Sequence, residues 1–173
     1  MILNSYTKEI FRPDCNPSFQ SLHCIAHLDQ DIAPALPYLN AVLGGFEYLQ
    51  GPPSVTFKVH GKLITLHGRK IAINALKDEV EADRILGWLK REINDAWANR
   101  HDIQPSYEGM PRLKLPEILK LLPKTNCRDC GAPTCLVFAT WVMEGVKGAE
   151  DCPPMLERHK RLLQDYMSRF KFE

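Results

Sequence analysis

Four of the six cysteines fall at positions 127, 130, 135 and 152, and their spacing, C-x2-C-x4-C-x16-C, constrains the chain more than any other feature. Three thiols on one tight loop can take three corners of a compact inorganic cube, while the fourth arrives from a distant segment. Four cysteine thiolates are the ligand set of iron–sulfur clusters. Tetrahedral zinc also accepts four thiolates, but structural zinc usually takes two separated pairs at C-x2-4-C, and the second half here is C-x16-C. A plant-type two-iron cluster orders its spacings as C-x4-C-x2-C, the reverse of this loop. The pattern therefore favours a 4Fe-4S cluster held by Cys127, Cys130, Cys135 and Cys152.

The residues between these cysteines have local roles. Gly131 is expected to let the loop pass an inorganic sulfide without a clashing Cβ. Cys152 precedes Pro153, as the last cysteine does in bacterial ferredoxin runs. Thr134 is a predicted N-cap, followed by an apolar helix from Leu136 to Val146 that stops around Gly145 and Gly148. Cys135 then sits in the first turn, and the unpaired N–H groups of the helix are expected to face the cluster. Such donors stabilise the reduced, more negative state and raise the potential. Apolar cover from Val137, Phe138 and Trp141 lowers it.

The stretch 122–153 carries a resemblance through Leu-Pro-Lys-Thr-Asn-Cys, Cys-Gly-x-Pro-Thr-Cys, the following Phe-Ala and Asp-Cys-Pro. It resembles the four-cysteine 4Fe-4S domain of the corrinoid iron–sulfur protein large subunit and its acetyl-CoA decarbonylase/synthase gamma counterpart. The B subunit of Rnf-type electron-transport complexes is similar there too. The resemblance implies that Cys127, Cys130, Cys135 and Cys152 are ligands and that the cluster moves single electrons at low potential. It carries over no catalytic residue, and the chain lacks the additional ferredoxin-like cysteine runs of the Rnf subunit.

Lys plus Arg number 22 against 21 for Asp plus Glu, a net charge of +1, so no bulk field exists to hold nucleic acid or an anionic membrane. No apolar run reaches the roughly 18–20 residues of a membrane span. The first residues lack a basic segment followed by an apolar one, and the expectation is a cytoplasmic protein. Residues 100–116, with three prolines and no sustained period, read as a linker or crossing segment. The predicted organisation is an α+β domain over 1–110 and a mostly helical cluster domain over 111–173.

In the first part, Leu22, Cys24, Ala26 and Leu28 alternate as a half-buried strand. Asp31 and Pro34 open a short helix with Leu36, Leu39, Val42 and Leu43 as its stripe, Pro37 as a weakness and Gly44-Gly45 as its end. Runs around Val55–Val59, Leu63–Leu66 and Ile71–Ile73 are separated by His60-Gly61 and Gly68-Arg69, the pattern of an antiparallel meander whose glycines supply positive φ. Asp78-Glu79-Val80-Glu81 opens a long helix with Ala82, Ile85, Leu86, Leu89, Ile93, Ala96 and Trp97 toward the sheet. A final amphipathic helix runs over Glu157–Phe170, packed through Leu163, Met167 and Phe170.

Cys15 and Cys24 read as inert or buried thiols, and His23, His27, His60 and His67 as surface or edge histidines. No Ser-His-Asp order, Walker loop or zincin helix is present. The function that best fits is an electron carrier or accessory protein serving a partner metalloenzyme, with a corrinoid enzyme as one such partner. The alternative is a cluster-based redox sensor or cofactor-assembly accessory protein, and a true enzyme with substrate at the domain junction is the third reading. Lys124, Arg128, Lys147 and the basic shoulder of the last helix form an expected ring that steers an acidic redox partner. The sequence does not specify an oligomeric state.

Overall fold

The computed structural model describes residues 1–13, 21–110, 114–144, 146–167 and 172, with the backbone alone for 164–167. Strands β1 (Tyr6–Phe11), β2 (Leu22–Leu28), β3 (Glu47–Gln50), β4 (Pro53–Val59), β5 (Lys62–His67) and β6 (Lys70–Leu76) form one antiparallel sheet. Their order is β1-β2-β6-β5-β4-β3. Helices α1 (Leu36–Leu43) and α2 (Glu79–Ala98) accompany it, and α3 (Leu115–Leu121), α4 (Cys135–Met143) and α5 (Glu157–Met167) follow. The α+β class expected from the sequence is the one observed.

The chain divides into two units. One comprises Met1–Phe57, Lys62–Met110 and Phe172–Glu173, the other Lys58–Gly61 and Pro111–Lys171.

In the first unit the alternation in β2 buries Cys24, Ala26 and Leu28, which share a face with Ile71 and Ile73 of β6 and with Ile64 and Leu66 of β5 through the register. The two hairpin turns differ in cause. At His60-Gly61 both residues have positive φ, 49° and 72°, the two-residue turn whose twist suits antiparallel strands. At Gly68 the expected positive φ is absent. Space is the requirement instead, because a Cβ there would lie 2.6 Å from Oδ1 of Asp31. Asp31 also accepts the N–H of Ala33 at 2.9 Å, a local turn bond; the helical turn that follows, Ala33–Ala35, has Ile32 rather than the expected Asp31 at its N-cap and no side-chain cap.

Pro37 lies in the first turn of α1, where a missing N–H costs nothing, so the anticipated weakness does not arise. Val42 is 41% exposed, which corrects the predicted stripe to Leu36, Leu39 and Leu43. Gly44, at φ 72°, closes the helix. Helix α2 is capped by Asp78, whose carboxylate accepts the N–H of Glu81 at 2.8 Å, while Glu81 accepts the N–H of Lys77 at 2.7 Å. Trp88 is buried and joins the predicted stripe, whereas Trp97 is half-buried, edge-on to Tyr38 and under the Arg100 guanidinium.

Two edge strands and one segment depart from expectation. The predicted pattern did not include β1 or β3. Within the expected linker, residues 106–110 are tied to the first unit: Ser106 donates to the Pro37 carbonyl and Met110 to that of Gly45. The side-chain amide of buried Asn40 donates to the carbonyls of Ser106 and Glu108, at 2.9 Å each.

The second unit has its own core, in which Ile118, Leu122, Phe138, Ala139, Met155 and Leu163 pack with Cys152. Helix α3 was not anticipated. Helix α4 ends at Met143 rather than Val146, where the N–H of Glu144 returns to the Thr140 carbonyl. Gly145, the expected stop, lies outside the described residues, as do Phe170 and the side chain of Met167. No described helix is long and apolar enough to cross a membrane.

Candidate metal centre

The loop leading into α4 is wound by an unusual run of backbone angles. Lys124, Asn126, Arg128 and Gly131 all have left-handed φ, at 60°, 51°, 66° and 82°. Each non-glycine residue so placed costs about 1–2 kcal/mol, least for Asn, so packing and hydrogen bonds must hold the loop. At Gly131 the requirement is this angle, since a Cβ there would meet no described protein atom within 4 Å.

The wound loop brings the thiols together. Cys127, Cys130, Cys135 and Cys152 all line one cavity, with Leu122, Ala132 and Phe138 as apolar wall. The space is about 260 Å³, part of it open to solvent. Accessibility is graded: Cys127 is exposed, Cys130 and Cys135 are half-buried, and Cys152 is buried at 4%. None of the four is in a disulfide. Among the described residues no three His, Cys, Asp or Glu side chains converge as they would around a single ion.

Burial pushes the Cys152 thiol above its ordinary pKa, and Cys130, Cys127 and Cys135 add to the effect. Four thiolates are the donor set of an iron–sulfur cluster, and the chemistry of these four cavity-lining donors fits that group.

The N-terminus of α4 departs from expectation in an informative way. Cys135 is in the first turn, and Thr134 caps the helix as predicted, its hydroxyl accepting the N–H of Val137 at 3.2 Å. The N–H of Cys135 is not free, however: it donates to Oδ1 of Asn126 at 2.8 Å. Two of the donors expected to face a cluster are thus engaged by side chains. Asn126 was overlooked as a site residue because an Asn before a cysteine reads only as a turn former.

Other candidates stay outside the cavity. Cys24 is 1% exposed in the core of the first unit, and burial pushes its thiol up. Cys15 lies outside the described residues. His27 is exposed near Glu9, His23 is edge-on to Phe11, and burial, then Lys70, holds His67 below its ordinary value. Of the basic ring, Lys124 and Arg128 are exposed, whereas Lys147 is 3.6 Å from Asp151 and Lys160 is 3.2 Å from Glu157.

Comparison with known proteins places similarity on this same stretch. Residues 122–154 match the family model described as "Putative Fe-S cluster". The gamma subunit of the acetyl-CoA decarbonylase/synthase complex of Methanocaldococcus jannaschii is 41% identical over 56 residues, 30% of this chain and 12% of that protein. The corresponding gamma 2 subunit of Methanosarcina mazei is 43% identical over 44 residues, 25% of this chain and 9% of its own. The corrinoid/iron-sulfur protein large subunit of Moorella thermoacetica is 51% identical over 37 residues, 21% of this chain and 8% of its own. The chain therefore spans about a tenth of the length of these relatives, and no solved structure matches it significantly. What the matches establish is that residues 122–154 are similar to this family model and distantly similar to a region of these subunits, while the N-terminal part is unassigned.

Proposed function

We propose that Cys127, Cys130, Cys135 and Cys152 hold one 4Fe-4S cluster and that the protein passes single electrons to or from a partner metalloenzyme. The observation that carries this reading is the convergence of four free thiols on one small cavity. The relatives named for a corrinoid/iron-sulfur protein and a decarbonylase/synthase complex make a corrinoid-dependent enzyme the first partner to test. Residues 111–173 are the cluster domain in this proposal, residues 1–110 serve recognition, and a reducing compartment such as the cytoplasm keeps the thiols available. No catalytic residue is assigned.

Anaerobic purification, iron and sulfide analysis and electron paramagnetic resonance of the dithionite-reduced protein test the core of the proposal. About four irons and four sulfides per chain, with a reduced-cluster signal, are expected. Tightly bound zinc with no cluster signal would overturn it. A second reading, a redox sensor or cofactor-assembly accessory, draws on Cys152 being both cavity wall and core residue, which couples cluster loss to packing. A reversible couple with an unchanged fold favours transfer, and a labile cluster whose loss unfolds the second unit favours sensing.

A further inference from the structure

We propose that Asn126 sets the reduction potential of the centre by withholding the Cys135 N–H from it, an inference that rests on the 4Fe-4S reading above. A helix begins with four N–H donors that lack intrahelical acceptors, here those of Thr134, Cys135, Leu136 and Val137. Oδ1 of Asn126 takes the Cys135 donor at 2.8 Å, and Oγ1 of Thr134 takes that of Val137 at 3.2 Å. The Cys135 N–H belongs to the same residue as a cavity-lining thiol. Hydrogen bonds to the sulfurs are one of the levers that set cluster potentials. A donor aimed at the centre stabilises the reduced, more negative state and raises the potential. A donor engaged elsewhere does not.

Asn is suited to this task on two grounds. Its carboxamide oxygen accepts the bond without adding charge. Its backbone is left-handed, at φ 51°, a conformation that Asn adopts more readily than most residues. Asn126 is therefore a potential-setting residue acting through Cys135 rather than a ligand.

Asn126→Gly keeps the left-handed backbone and deletes the acceptor, whereas Asn126→Asp keeps the acceptor. In the reconstituted full chain, redox titration followed by electron paramagnetic resonance should show the Gly variant shifted to more positive potential. The expected change is about tenfold in the reduction equilibrium, about 59 mV for one electron. The Asp variant should show no positive shift. A Gly variant with a full cluster and a wild-type or lower potential would sink the inference.

If the Gly variant fails to hold the cluster, amide hydrogen exchange in the metal-free full chain decides the matter. The Cys135 amide should be protected in the wild type and in Asn126→Asp, and should exchange at least tenfold faster in Asn126→Gly. An unprotected wild-type amide overturns the proposal. A wild-type chain that takes up no iron and sulfide overturns the cluster reading itself, and the potential-setting role with it.

Discussion

Nδ1 of His159 lies 2.8 Å from the carbonyl oxygen of Leu121, which ties α5 to the last turn of α3, one residue before cavity-lining Leu122. Carbonyls at a helix end lack intrahelical partners, so this imidazole satisfies a group that would otherwise need water. His159→Ala should cost about 0.5–1.5 kcal/mol of stability in the second unit. Chemical denaturation of the metal-free protein measures it, and a variant as stable as wild type would show that the bond is idle.

Serine at each of the four cavity cysteines should lower iron and sulfide content several-fold, because an alcohol is a far poorer ligand for the proposed cluster than a thiolate. Cys24→Ala should leave both counts unchanged, since Cys24 is packed within the first unit. Metal analysis of anaerobically purified variants checks both arms. Equal losses from Cys24→Ala and Cys127→Ser would contradict the assignment.

The cap of α4 makes a separate energetic statement. Thr134→Ala should destabilise the second unit by about 1 kcal/mol, the usual cost of losing a helix cap. The same order of loss is expected for Asp78→Ala at α2, in the first unit. Thermal unfolding by circular dichroism reads both, and a variant that melts like wild type would show that its cap is idle.

Thiol accessibility sets an order of reactivity in the metal-free protein. Iodoacetamide should modify exposed Cys127 first and the buried Cys24 and Cys152 last, as read by peptide mass spectrometry. Burial raises the pKa of both buried thiols above 9.0, the ordinary value here, so their folded state favours the neutral form. Their contribution to stability is present below that value and is lost as pH rises through the raised folded value. The metal-free protein should therefore weaken in alkali, and the cysteine variants Cys24→Ala and Cys152→Ala should each flatten that decline. Decline of equal steepness in both variants would refute the linkage.

Charge reversal separates exposed cations of the second unit from one that has an acidic neighbour. Lys124→Glu and Arg128→Glu remove exposed cations, while Lys147 already has Asp151 beside it. If an acidic partner docks here, reversal at Lys124 or Arg128 should slow its salt-sensitive association more than reversal at Lys147. Stopped-flow reduction of an acidic acceptor such as rubredoxin tests this, and equal effects at all three positions would remove the asymmetry.

Where a single period dominated, the sequence was a good guide. The apolar spacing of α2 and the alternation of β2 and β4–β6 each match an observed element, and the cysteine spacing brought together the four thiols that share the cavity. Edge strands were harder. In β1, Tyr6, Lys8 and Ile10 are half-buried and mix a cation with apolar side chains, so no apolar face stands out. Helix α3 has a single fully buried residue, Ile118, and a proline in its first turn, which together look like loop. The bond from Cys135 to Asn126 spans nine positions through a side chain, and periodicity carries no information about such a link.

Cys152 occupies two roles at once, as cavity wall and as a member of the core with Phe138 and Leu163. Oxygen that reaches its sulfur would place a polar, enlarged group among apolar neighbours. Chemical damage at that one atom would then be felt as a packing fault, and the second unit would report oxidation by coming apart rather than by persisting as an intact, empty shell.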